Sequence, residues 1–158
     1  MKFHNHLSKL AEKTECKRKG VYAAYVSLTG RLGTYAINGP MGFPCSNEVG
    51  NCGCMHAEIK LLLDCEIKSP HIFMTEYAPC TNCANALIFR RKNIKAIIYY
   101  HKTPHDMRGL RLIESTFPCE CLETLDERKL NDCLQRKQLH GANGARASWS
   151  GKFSGDLS

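Results

Sequence analysis

The sequence predicts an α/β fold in which helices cover a mixed β-sheet. Two observations point there. Between residues 21 and 100, short apolar runs of strand length alternate with helical periodicity, ending in the order strand, helix, strand, helix, strand. The chain has 158 residues with 43% hydrophobic content, enough for one domain with a substantial core and too apolar for a disordered chain. The expected division is one domain over residues 1–141 and a flexible tail over residues 142–158, where Gly, Ala and Ser are frequent.

Each element has a local reason. Phe3, Leu7, Leu10 and Ala11 recur at helical spacing, which predicts a short amphipathic helix over residues 3–13. Residues 21–28 are apolar and rich in strand formers, Thr29-Gly30 is a turn, and residues 32–37 return beside them as a hairpin. Residues 38–51 carry several Gly and Pro with little periodicity, so an ordered loop is expected. A helix follows over residues 56–65, with Ile59, Leu62 and Leu63 on its buried side. Residues 71–75 form a strand. Pro79 then suits the first turn of a helix running to residue 91, and residues 94–100 form another strand. Residues 110–114 suit a helix, and residues 121–140 suit a polar one with leucines at positions 122, 125, 130, 134 and 139. Trp149 and Phe153 belong to the expected tail.

Charge and cysteine content narrow the class of function. There are 22 Lys and Arg against 15 Asp and Glu, a formal charge of +7. That surplus favours phosphate-bearing partners without choosing between a free nucleotide and a polynucleotide. The runs Lys17-Arg18-Lys19 and Arg90-Arg91-Lys92 also suit plain solvated faces. Residues 1–15 are polar, so no secretory leader is expected, and no stretch approaches transmembrane length. A reducing cytoplasm is the expected compartment, where ten clustered cysteines favour metal over disulfides.

The chemistry-bearing pattern has two parts, His56-Ala57-Glu58 and Pro79-Cys80-Thr81-Asn82-Cys83. Thiolates and a neutral imidazole are good zinc ligands. Cys80 and Cys83 are spaced to share a helix face, and the start of a helix stabilises thiolates. Three protein ligands would leave one tetrahedral position for water, whose pKa zinc lowers toward neutrality. Glu58 is then a candidate proton shuttle rather than a ligand. It lies two residues from His56, and an ideal helix would point the two apart, so the pattern requires a site at a helix end. Alone, Cys-x-x-Cys also fits a structural zinc half-site or a redox pair, and His-x-Glu is weaker still. Together they match the known zinc-deaminase signature.

At Tyr22–Ser27, Asn38-Gly39-Pro40, His56-Ala57-Glu58 and residues 75–83, the chain resembles the cytidine and deoxycytidylate deaminase superfamily. It is most similar to phage-type deoxycytidylate deaminases, over residues 5–115. The resemblance implies a three-layer fold with a central mixed five-stranded sheet flanked by helices. It implies hydrolytic deamination of free dCMP, in which hydroxide attacks C4, ammonia leaves and dUMP is formed, by a homo-oligomer. It places zinc on His56, Cys80 and Cys83, proton transfer on Glu58, the sugar contact on Asn38 beside Gly39, and the backbone of Ala78 and Pro79 near the base. Tyr77 or Phe43 suits stacking on a pyrimidine, or a core or loop position. Arg31, Lys102, His105 and Arg108 are candidate phosphate partners. The chain departs from many relatives in having Ala36-Ile37 before Asn38, a compact cysteine-rich loop between Pro40 and His56, and no legible last strand after Tyr100, where Phe117-Pro118-Cys119-Glu120-Cys121 stands instead.

The remaining cysteines leave alternatives open. Cys16, Cys45, Cys52 and Cys54 suit a second, structural zinc or independent buried thiols. Some phage-type deoxycytidylate deaminases look similar in using such a loop for zinc. Cys119 and Cys121 suit a place in that site, or another with Cys133. His101 and His105 suit ligation, phosphate contact or the surface, and Cys65 suits the core. The functional alternatives are a deaminase of another free base or nucleotide, a deaminase of tRNA or single-stranded nucleic acid, and a non-catalytic zinc-stabilised interaction protein. No interleaving of basic and aromatic residues marks a long nucleic-acid track.

Overall fold

The structure, a computed structural model, describes residues 2–49, 51–102 and 107–122. Helix α1 (Lys2–Ala11) leads into a hairpin of β1 (Tyr22–Ser27) and β2 (Leu32–Ile37). Two short strands follow, β3 (Gly39–Pro40) and β4 (Cys54–Met55), before α2 (Ala57–Asp64), β5 (His71–Tyr77), α3 (Thr81–Phe89), β6 (Ile94–His101), α4 (Met107–Thr116) and β7 (Cys119–Cys121). A 3-10 turn, Arg91–Asn93, joins α3 to β6.

The central sheet has five strands in the order β2-β1-β5-β6-β7. β1 runs antiparallel to β2 and β5, whereas β5, β6 and β7 are parallel, so the sheet is mixed as expected. The hairpin turn closes at Gly30, whose φ of 77° lies in the left-handed region that glycine enters without strain.

Side-chain alternation makes three layers. Ala23, Tyr25, Phe73 and Ile97 face one side and pack with Leu61, Leu62, Ala84, Leu87 and Ile113 from α2, α3 and α4. Tyr22, Ala24, Val26, Met74 and Ile98 face the other side and pack with Leu7 and Ala11 of α1. Among the described residues, no helix is long and apolar enough to cross a membrane.

Several elements differ from the sequence-based expectation. The loop after Asn38 contains the paired strands β3 and β4, with Gly39 opposite Met55 and Pro40 opposite Cys54. In α2 the buried side is Ala57, Glu58, Leu61 and Leu62, while Leu63 is 63% exposed. Assigning Ile59 and Leu63 to the core missed that a carboxylate occupies part of the inward face. Pro79 lies before α3 rather than in its first turn, because Cys80 is the N-cap. The strand not legible in the sequence is β7, built from Cys119-Glu120-Cys121, with Ile97 opposite Cys119 and Tyr99 opposite Cys121. The helix expected over residues 121–140, the tail over 142–158, Cys133, Trp149 and Phe153 lie outside the described residues, apart from Cys121 and Leu122 at the start of that helix.

Gly109 of α4 fixes where α3 begins. A Cβ there would stand 2.3 Å from the Pro79 carbonyl oxygen and 2.5 Å from the Cys80 carbonyl carbon. Both are backbone atoms and cannot swing aside. Gly109→Ala is therefore expected to destabilise the protein by about 1–3 kcal/mol, the range for overpacking, read from the chemical denaturation midpoint. An unchanged midpoint would mean that α4 can retreat from α3 at no cost.

Candidate metal centre and active site

Two helix N-termini meet beyond the carboxyl end of β5. His56 is the N-cap of α2 and Cys80 the N-cap of α3, both with extended backbone and neither using its side chain to cap its helix. Cys83 is the third residue of α3 and fully buried. The His56 Nδ1 atom lies 3.6 Å from the Cys80 Sγ and 3.4 Å from the Cys83 Sγ. All three donor atoms lie within 4.8 Å of one another. A tetrahedral zinc with ordinary Zn–S and Zn–N bonds requires S···N edges of about 3.5 Å. The residues present therefore fit a zinc ion.

The extended backbone at His56 resolves the spacing problem in His-x-Glu. His56 precedes the helix and Glu58 lies within its first turn, so the helical angle does not separate them. Glu58 is 5% exposed. Burial raises its pKa above the ordinary 4.5, while its backbone amide, the nearby His56 and a hydrogen bond from the Cys83 thiol pull the other way. A buried carboxylate beside three metal donors is the arrangement that proton transfer needs.

The donors polarise one another. A hydrogen bond from Cys83 holds the Cys80 thiol down to about 4 against its own burial, with His56 contributing further. Cys83 is pushed up by its hydrogen bond to Cys80 and then by burial. His56 is raised chiefly by its hydrogen bond to Cys80. One thiolate thus gathers protons from two neighbours, and binding a metal would release them.

Among the described residues there is a second cluster. The thiols of Cys16, Cys45, Cys52 and Cys54 also lie within 4.8 Å of one another. Cys16 follows α1, Cys45 and Cys52 lie in the loop, and Cys54 is in β4. Burial raises the Cys45 thiol, but backbone N–H groups of Asn47 and Lys17 outweigh it and bring the pKa to about 7. Cys54 is pushed up by burial and by the surrounding thiols. Four cysteines make a closed donor set of the structural zinc type.

The other expected site residues are placed as follows. The Asn38 side chain crosslinks backbone: its Nδ2 donates to the Lys19 carbonyl and its Oδ1 accepts from the Val21 N–H, both at 2.8 Å. One amide hydrogen and one lone pair remain for a ligand. Gly39 is buried in β3. Ala78 is buried and its N–H donates to the His101 carbonyl at 2.8 Å, while Pro79 is fully buried, so this backbone is fixed.

Tyr77 lies 5.2 Å from His101, ring to ring, and Phe43 is 83% exposed on the loop. Arg31 sits at the hairpin turn, at the end of the sheet opposite Tyr77. Six strand steps, ~20 Å, separate those ends, so Arg31 is no partner for this site. Lys102 and Arg108 are exposed, and His105 lies outside the described residues. Cys119 and Cys121 belong to neither thiol cluster and pack beside Ala78, Tyr99 and Leu110. Cys65 caps the end of α2 and is partly buried against the core. Lys19, in a run that suits a solvated face, is placed against Tyr77 by the fold. Its ammonium hydrogen-bonds the Tyr77 hydroxyl and stands 4.2 Å from the ring centroid.

No protein-family model matches the chain, and no curated protein matches it. Among the solved structures that share its fold are two of the dCMP deaminase from the cyanophage S-TIM5. The complex with dCMP and dUMP matches with a TM-score of 0.56 at 20% identity, covering 76% of this chain and 96% of that one. The apo form matches with a TM-score of 0.54 at 21% identity, covering 76% and 97%. At these identities the likeness is one of fold.

The two donor sets predict a metal content of about two zinc ions per chain. Elemental analysis of purified protein should find this, and Cys45→Ser should lower it to about one while His56, Cys80 and Cys83 still bind theirs. A wild-type content near one that Cys45→Ser leaves unchanged would show the four-cysteine cluster to be plain thiols.

Proposed function

We propose that the chain is a zinc-dependent hydrolytic deaminase of the cytidine and deoxycytidylate deaminase superfamily, converting dCMP and water to dUMP and ammonia. The observation that carries this reading is buried Glu58 beside the three-donor set of His56, Cys80 and Cys83. A closed structural site needs no carboxylate at that position. The four-cysteine cluster has the complementary character, and a structural role is proposed for it.

A zinc ion held by His56, Cys80 and Cys83 supplies a Lewis acid that makes water acidic near neutral pH. The remaining work falls to the chain. Glu58 takes a proton from the attacking water and delivers it to the pyrimidine N3, then takes the proton of the new C4 hydroxyl and passes it to the departing amine as the C4–N bond breaks. The positions of Ala78 and Pro79 suit a rigid backbone edge along the base. Asn38 offers its remaining donor and acceptor to the sugar, from a carboxamide already fixed in orientation.

The net positive charge supports a phosphorylated substrate over a neutral nucleoside. The fold shared with the cyanophage enzyme supports the same class of substrate. The exposed apolar side chains Leu63 and Phe89, on α2 and α3, support a homo-oligomer. A reducing cytoplasm suits so many free thiols.

Ammonia release measured across dCMP, dCTP, cytidine, guanine and short DNA or RNA tests the proposal. dCMP should turn over fastest. Glu58→Gln should retain zinc and lose roughly 100-fold or more in kcat, the range for removing a general acid–base group. No ammonia from any of these substrates would refute the deaminase reading.

The pH profile is a separate check. Glu58 must be ionised to accept a proton, and its pKa is raised. Activity should therefore fall with decreasing pH at values above 4.5, the ordinary carboxyl value. The same acidic limb in the residual activity of Glu58→Gln would mean that another group takes the proton.

A further inference from the structure

We propose that Lys19 receives the 5′-phosphate of the substrate and so sets the preference for a nucleotide over a nucleoside. This rests on the deaminase reading and adds a specificity-determining residue to it. Four observations converge on this side chain.

First, its backbone is pinned. The Lys19 carbonyl accepts the Asn38 Nδ2 donor at 2.8 Å. Gly20 adds to this: a Cβ there would stand 1.7 Å from the Ala11 carbonyl oxygen, so the chain passes hard against the end of α1. A long side chain thus leaves a rigid base one hydrogen bond away from the proposed sugar contact.

Second, the ammonium is aimed. It hydrogen-bonds the Tyr77 hydroxyl and stands 4.2 Å from the ring centroid. Tyr77 is followed directly by Ala78, Pro79 and Cys80, the proposed base edge and a metal donor. Third, among the described residues the ammonium meets this phenol and no carboxylate.

Fourth, the place is right. Lys19 is exposed and sits beyond the carboxyl ends of the parallel strands β5 and β6, where open α/β sheets hold their ligands. His101, 5.2 Å from Tyr77 ring to ring, borders the same spot.

The chemistry that matches is a terminal phosphate monoester. A compact ammonium binds it as a point charge, and a phenol that accepts from lysine still has its own proton to donate. A chain of phosphates is not required.

The experiment compares kcat/KM for dCMP and deoxycytidine in wild type, Lys19→Gln and Lys19→Arg, and the binding of dUMP and deoxyuridine to the same zinc-loaded proteins by calorimetry. Lys19→Gln should lower the dCMP-to-deoxycytidine ratio by roughly tenfold or more, the scale of losing a hydrogen bond to a charged group, with the change in KM rather than kcat. dUMP binding should weaken in parallel, and Lys19→Arg should restore most of both. Equal losses on both substrates, or an unchanged ratio, would overturn the role of Lys19 and leave the deaminase reading standing. If wild type deaminates neither compound yet Lys19→Gln still selectively weakens dUMP, the phosphate contact stands and the proposed reaction falls.

Discussion

Two helices begin at the same place, and most of the site follows from that constraint. An N-cap residue has non-helical backbone, so its side chain is free of the helical angle that governs its neighbours. His56 and Cys80 both occupy such positions, and Cys83 follows one turn into α3. Three donor atoms can then face one another across the gap between helices. First-turn amides and the positive ends of the helix dipoles surround them, which favours thiolates there. β5 delivers the chain to this point, and the carboxyl end of a parallel strand is where an α/β sheet leaves room for a ligand.

Close backbone packing holds the gap at a fixed width. Gly109 brings α4 against the Pro79–Thr81 backbone, so α3 cannot drift along its axis. The Ala78 N–H bonded to the His101 carbonyl ties the same segment to β6. On the α2 side, His56 follows directly on β4, which pairs with β3 at Gly39 and Pro40. The four-cysteine cluster includes Cys54 of that same β4, two residues before His56. Whatever fixes those thiols also fixes the approach to α2. Asn38 extends the frame through its bonds to Lys19 and Val21, and the Thr14 hydroxyl donates to the Asn38 carbonyl.

Buried charge gives this frame a chemical character. Glu58 sits on the inward side of α2, where an apolar residue would pack at no electrostatic cost. A carboxylate retained there is balanced by His56 and by the Cys83 thiol, and its raised pKa suits proton exchange rather than permanent ionisation. The two donor clusters also differ in kind. Four thiols close a coordination shell, while one histidine and two thiols leave it incomplete beside an acid–base group. That difference separates a closed donor set from an open one beside a buried carboxylate.

The sequence by itself determined the alternation of strands and helices, the candidate donors His56, Cys80 and Cys83 and the carboxylate beside them, whereas the grouping of Cys16 with Cys45, Cys52 and Cys54, one alternative in the sequence, was decided by the fold. The former were legible because they depend on local spacing: periodicity, ligand type and the short intervals within His-x-Glu and Cys-x-x-Cys. Tertiary structure alone decided which face of α2 is buried, since local periodicity favoured Leu63 and the fold turned Glu58 inward. It alone made β7 a strand, because Cys119-Glu120-Cys121 has little intrinsic strand character and pairs only because β6 offers a parallel edge. It also committed the Asn38 amide to the backbone of residues 19 and 21, and it drew Lys19 out of an ordinary basic run to stand against Tyr77. Such outcomes depend on contacts between residues far apart in the chain, and no local pattern encodes them.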